Sequence, residues 1–173
     1  MVICFCAGIL FYSLNLSGDQ KLIFQIDHTQ FEIDFPSQPQ REDLDVSETV
    51  KTSQYSAKGN DGGYVLVIST YNPVFSKGEE GYLISDNKSF LDSINRKLPT
   101  EERFTVSSSS LTAFNGHQSR IDEAENKDVK VRYIVFTNEV NQYYVLAYSS
   151  LKRSFDDNKW NSYIKSFASY PAN

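Results

Sequence analysis

From Val129 to Phe167 the hydrophobic positions change period twice. In VKVRYIVFT, Val129, Val131, Tyr133 and Val135 alternate with Lys130, Arg132, Ile134 and Phe136. One side is apolar throughout and the other only toward its end, the pattern of a half-covered antiparallel strand. After a turn at Asn138-Glu139-Val140-Asn141, QYYVLAYSS sets Tyr143, Val145 and Ala147 against Tyr144, Leu146 and Tyr148. Both faces are apolar, which predicts a strand in the middle of its sheet. In SFDDNKWNSYIKSF the spacing becomes helical, with Trp160, Tyr163, Ile164 and Phe167 at i, i+3, i+4 and i+7 on one stripe. Ser154, with Asp157 three residues on, fits a capping box and predicts the helix start. The stripe must lie on a sheet, so the aromatic row is read as core packing and not as a platform for a sugar or cofactor.

The same reading extends upstream. LIFQID is compatible with a strand, and FEIDFP alternates Phe31, Ile33 and Phe35 with Glu32 and Asp34 before Pro36 and Pro39 stop it. Leu44 to Lys58 reads as one partly exposed strand. It leads through Gly59-Asn60-Asp61-Gly62-Gly63, a turn signal, into YVLVISTYN, a second central strand forming a hairpin with it. Phe90, Leu91, Ile94 and Leu98 form a helical stripe, and Pro99 ends a helix predicted over Asp86 to Leu98. RFTVSSSSLTAF, the turn Asn115-Gly116 and HQSRIDEA make another hairpin, and Asn126-Lys127-Asp128 turns into the pair described first. The firmly patterned elements run β-β-β-α-β-β-β-β-α. The expected fold class is therefore α+β, with a predominantly antiparallel sheet covered by helices.

Composition narrows this picture. Aromatic side chains make up 14% of the 173 residues, which favours strands over helices. The net charge of −5 comes with scattered basic residues, so no positive track for a phosphate backbone exists and nucleic-acid binding is not expected. The two cysteines, Cys4 and Cys6, fall inside an uncharged apolar run from Val2 to Leu16. That run is shorter than the ~20 residues a spanning helix needs, and it reads as the core of a signal sequence or membrane anchor. Cys6 with Ala7 and Gly8 behind it is similar to a lipoprotein acceptor, although Phe5 stands where a small residue is usual. Lipidation, export and burial as a first element of the domain stay open. The expected organisation is a leader over residues 1–18 and a single domain over 19–173, located outside the cytoplasm: exported or membrane-anchored, in a periplasm, envelope or lumen.

The search for chemistry turns up few candidates. With His28 and His117 as the only histidines, no multi-histidine metal site and no HExxH motif can form. The many serines lack a GxSxG elbow, and Ser107 to Ser110 reads as a polar strand segment. Gly59 to Gly63 lacks the GK[ST] ending of a phosphate cradle. The densest carboxylates are Asp122, Glu123, Glu125 and Asp128. Together they would suit a hard cation such as calcium, but Lys127 sits among them and a solvated acidic loop is the expectation. Asn15-Leu16-Ser17 and Asn87-Lys88-Ser89 fit glycosylation acceptors. No catalytic residue, cofactor or metal is predicted.

FEIDFPSQP, YVLVISTYNP, FNGHQSRIDEA leading into VKVRYIVFTNEVNQYYVLAYSS, and the closing WNSYIKSFASY together resemble the PsbP-like superfamily over most of Phe31 to Tyr170. That superfamily includes the photosystem II extrinsic protein and DcrB-like bacterial lipoproteins. The resemblance implies an antiparallel sheet with helices on both faces, and a binding or accessory role instead of catalysis. It supplies no catalytic set to transfer. The expected function is a non-enzymatic extracytoplasmic interaction domain with a protein partner. The alternatives are a small-ligand carrier with a pocket between sheet and helix, lined by Tyr143, Tyr144 or Tyr148, and a hydrolase built on His117 and the nearby acidic loop.

Overall fold

The computed structural model describes residues 20–26, 29–47, 50–71, 91, 95–96, 98–137, 142–150 and 154–171. Its main body is a seven-stranded antiparallel sheet. The two segments that are apolar on both faces, β5 (Gly62–Tyr71) and β9 (Gln142–Ser150), lie side by side at its middle, with Tyr64 opposite Tyr148 and Leu66 opposite Leu146. From β9 the sheet continues through β8 (Lys130–Thr137) and β7 (His117–Glu125) to β6 (Thr105–Phe114) at one edge. From β5 it continues through β4 (Val50–Lys58) to β3 (Gln40–Ser47) at the other. The meander expected from residue 105 onward is thus present, and the β6–β7 turn is a type I′ turn, with Asn115 at φ 49° and Gly116 at φ 81°.

The two faces differ in side-chain size. Tyr64, Leu66, Ile68, Ile134, Phe136, Tyr144, Leu146 and Tyr148 fill one face, and helix α1 (Asp157–Ser166) and β2 (Thr29–Phe35) pack over it. Trp160, Tyr163 and Phe167 come from the helical stripe, and Phe31, Ile33 and Phe35 from the alternating strand. Ring contacts knit the layers together: Phe31 lies 5.6 Å from Tyr144, and Phe35 lies 5.8 Å from Tyr163. The opposite face is smaller and more β-branched, with Val65, Val67, Val131, Val135, Val145 and Ala147 around Tyr133. Leu91, Leu98 and Phe104 pack onto it. Among the described residues α1 covers the first face. The predicted helix over 86–98 lies largely outside the described residues, with Leu91 and Asn95 helical, so helices on both faces are not established.

Three details depart from the expectation. First, Leu44 to Lys58 is not one strand. It comprises the end of β3 and the whole of β4, two strands that pair antiparallel. An edge strand rich in Arg41, Glu42, Asp43 and Asp45 needs no buried face and so leaves no hydrophobic alternation to read. Second, α1 is capped by Asp156, not Ser154. The Asp156 carboxylate accepts from the Asn158 and Lys159 amides at 3.1 and 3.2 Å, while the Ser154 carbonyl accepts from the Ser150 hydroxyl at 2.8 Å. Phe155 packs between Tyr148 and Arg132 and pushes the start two residues on. Third, a short strand β10 (Ala168–Pro171) follows the helix and joins β1 (Gln20–Ile26) in flanking β2 as a separate three-stranded sheet.

Candidate functional site

The four acidic candidates are not brought together. Asp122, Glu123 and Glu125 lie on β7, where alternation turns neighbouring side chains to opposite faces. Asp122 is buried and accepts hydrogen bonds from Ser109, from Arg120 Nε at 3.2 Å and from the Tyr133 hydroxyl at 3.2 Å. Glu123 pairs with Arg132 at 2.6 Å and Glu125 with Lys130 at 3.1 Å. Asp128 is exposed, its backbone amide held by Asn126 at 3.0 Å. Among the described residues, no three His, Cys, Asp or Glu side chains stand close enough to hold a metal ion. His117 begins β7 beside the Asn115-Gly116 turn. It is six positions from Glu123 along one extended strand, about 20 Å away by the rise of an antiparallel strand. His28, Cys4, Cys6 and both glycosylation triplets lie outside the described residues.

Two of the three tyrosines proposed as pocket walls, Tyr144 and Tyr148, are enclosed. Tyr144 stacks on Phe136 at 4.9 Å and 22° and meets Phe167 at 5.5 Å. Tyr148 lies 4.9 Å from Tyr64. Nothing is described of the Tyr143 side chain.

One polar cluster was not foreseen. Asp61, in the turn between β4 and β5, accepts on a single oxygen from Tyr148 at 2.8 Å, Tyr64 at 3.0 Å and Lys159 at 3.1 Å. Burial alone would push the Asp61 carboxyl up, but these donors outweigh it and hold it below its ordinary value. Burial first, and then the Asp61 charge, push both phenols above their ordinary range. The carboxylate is therefore held ionised and the phenols stay neutral, an arrangement that fastens the β4–β5 turn to α1 and β9. A few residues away, Arg132 spans Glu123 and Asp157 and lies 4.5 Å over the Phe155 ring. The sequence signal for this latch was an Asp in a glycine-rich turn followed three residues later by Tyr64, but Tyr148 and Lys159 join it only through the fold.

With these groups paired internally, an open feature of the main sheet among the described residues is the β6 edge. Its residues Thr105 to Phe114 carry no charge, and Leu111 and Val106 are 67% and 45% exposed. The opposite edge, β3, carries four charged residues and has a bulge between Asp45 and Ser47. Both are devices that discourage strand addition. Beyond a bulge between Val106 and Ser108, β6 runs in regular register to Phe114.

No family model matches the chain, and no curated protein matches it. Among solved structures, cyanobacterial PsbP (CyanoP) from Synechocystis sp. PCC 6803, a solution structure, matches with a TM-score of 0.63. The match covers 93% of this chain and 98% of that one at 14% identity. The fold is PsbP-like. A protein of unknown function from Pseudomonas aeruginosa, PA94, described as a putative regulator, also matches, with a TM-score of 0.42, 12% identity and coverage of 82% and 91%. The PsbP-like architecture accounts for the sheet and helix arrangement above. At this level of identity it transfers no site residue.

Proposed function

We propose that the chain is a non-enzymatic accessory domain that holds a protein partner outside the cytoplasm, and that the β6 edge is the surface that holds it. The observation that carries this reading is the contrast between the two edges of the main sheet. β3 bears four charged residues, whereas β6 offers ten uncharged ones with Leu111 and Val106 exposed. Unpaired backbone groups along such an edge accept an added strand, with main-chain hydrogen bonds supplying affinity and alternate side chains supplying specificity. Internal pairing of Asp61, Asp122, Glu123 and Glu125 also favours binding over catalysis.

The extracytoplasmic placement is supported by the uncharged run Val2 to Leu16 and by the likeness to a PsbP fold. Fractionation of the native protein tests it, and recovery from the cytosol would overturn it. The binding role is tested by cross-linking in native envelopes, comparing the natural chain with Ser110→Lys. That change places a charge in the middle of β6 and touches no core residue. The expected result is a cross-linked protein species lost in the variant; capture unaffected by Ser110→Lys would remove the edge from consideration.

A further inference from the structure

We infer that the occupant of the β6 edge is a second copy of this chain, paired antiparallel about a two-fold axis through Leu111. The inference rests on the edge reading above and names its partner. The bulge between Val106 and Ser108 leaves Ser108 to Phe114 as the regular stretch of the strand. An antiparallel self-pairing uses all seven of these residues in one register only. Ser108 then meets Phe114 of the second copy, Ser109 meets Ala113, Ser110 meets Thr112, and Leu111 meets its own counterpart on the axis.

The side chains suit that register. Leu111 projects to the same face as Arg120, its partner on β7, and its neighbours on that face, Ser109 and Ala113, are small. The side chain that is 67% exposed in one copy would thus be covered by the identical one of the other, at the ~4.5–5.5 Å Cβ separation of directly opposed strand residues. The other face presents the hydroxyls of Ser110 and Thr112 to each other. Such an interface is isologous, the commonest way for identical chains to associate.

Charge selects β6 over β3, the other edge of the main sheet, for two copies of a chain with net charge −5. Across the proposed axis no carboxylate opposes another. In the next row inland Asp122 lies 3.2 Å from Arg120, and Glu123 lies 2.6 Å from Arg132. A β3–β3 contact would instead oppose strands holding Glu42, Asp43 and Asp45 against a single Arg41. Seven residue pairs span only about 24 Å. The contact alone therefore falls short of the ~1,200–2,000 Å² of a tight complex, and a readily dissociating dimer is expected.

Disulfide trapping in the full chain tests the register, because the described residues contain no native thiol to interfere. In a Cys4→Ser, Cys6→Ser background, Leu111→Cys brings two thiols together on the axis, within reach of a disulfide. Val106→Cys, also exposed, leaves its thiols about 34 Å apart in the proposed pairing. With copper–phenanthroline as oxidant, the Leu111→Cys variant should give a covalent dimer at least ~10-fold faster than the Val106→Cys variant. Equal rates, or no dimer from either, would overturn the second copy as occupant. A benzophenone maleimide attached to the Leu111→Cys thiol and photolysed in native envelopes, which needs no thiol on the partner, separates the two readings. If Leu111→Cys links to a different protein and never to itself, the self-pairing falls while the edge reading stands; if it links to nothing, both fall.

Discussion

Asp61 decides how its own cluster with Tyr64, Tyr148 and Lys159 behaves with pH. Three donors on one oxygen keep its carboxyl depressed against the opposing effect of burial. The folded state therefore binds this proton at lower pH than the unfolded chain does. The stability it supplies is held in full above about pH 4 and lost as the pH falls toward the folded value. Asp61→Asn is expected to cost about 1–3 kcal/mol at neutral pH and to flatten the acid limb of stability; thermal melts across that range check it, and an unchanged acid limb would assign the effect elsewhere. At the alkaline end the sign reverses. Tyr64 and Tyr148 hold their protons more tightly when folded, so their contribution is complete below about pH 10 and fades above it. Tyr163 offers a third residue-scale test. Its hydroxyl is buried with no hydrogen-bond partner among the described residues, and an orphaned polar group costs free energy. Tyr163→Phe should leave the melting temperature unchanged or raise it, whereas Trp160→Ala, which empties part of the same layer, should cost about 3–5 kcal/mol.

Among the elements, the close approach of β5 and β9 depends on glycine. A Cβ at Gly62 would come within 1.7 Å of the Ser149 carbonyl oxygen, which is backbone and cannot swing aside. Gly62→Ala is expected to destabilise by at least ~1–3 kcal/mol through overpacking. Gly116→Ala meets no neighbour, and its cost would come from positive φ alone. Denaturant titrations of the two variants separate the effects. The elements legible in the sequence were those with a buried face: β5, β8 and β9 through their apolar runs, α1 through Trp160, Tyr163 and Phe167, and the β6–β7 hairpin through Asn115-Gly116. The illegible ones lack that signal. β3 is a charged edge strand, β10 has four residues, and the helix cap moved from Ser154 to Asp156 because Phe155 is drawn onto Tyr148 and Arg132, contacts that helical spacing does not report. The Asp61 latch was hidden for the same reason: its donors lie 3, 87 and 98 positions away in sequence. The neutrality of β6 was visible throughout as Thr105 to Phe114, but it became meaningful only once that strand proved to be an edge.

For the molecule as a whole, the aromatic face between sheet and helix is occupied by its own side chains, with Tyr144 and Tyr148 each 1% exposed. A carrier role would require a ligand to displace them. A thermal-shift screen bears on this directly, since a ligand present at a hundred times its Kd stabilises the folded state by ~2.7 kcal/mol. No such shift is expected for small apolar compounds, and a reproducible one that Tyr148→Ala abolishes would restore the carrier reading. The pairing of β10 with β2 has a consequence for how the chain comes into being. Phe31 and Phe35 are synthesised early, yet two rings that cover them, Phe167 against Phe31 and Tyr163 against Phe35, emerge from the ribosome about 130 residues later. Until then these early side chains have no finished site to enter, and the amino-terminal layer locks only after the last strand of its sheet has been made.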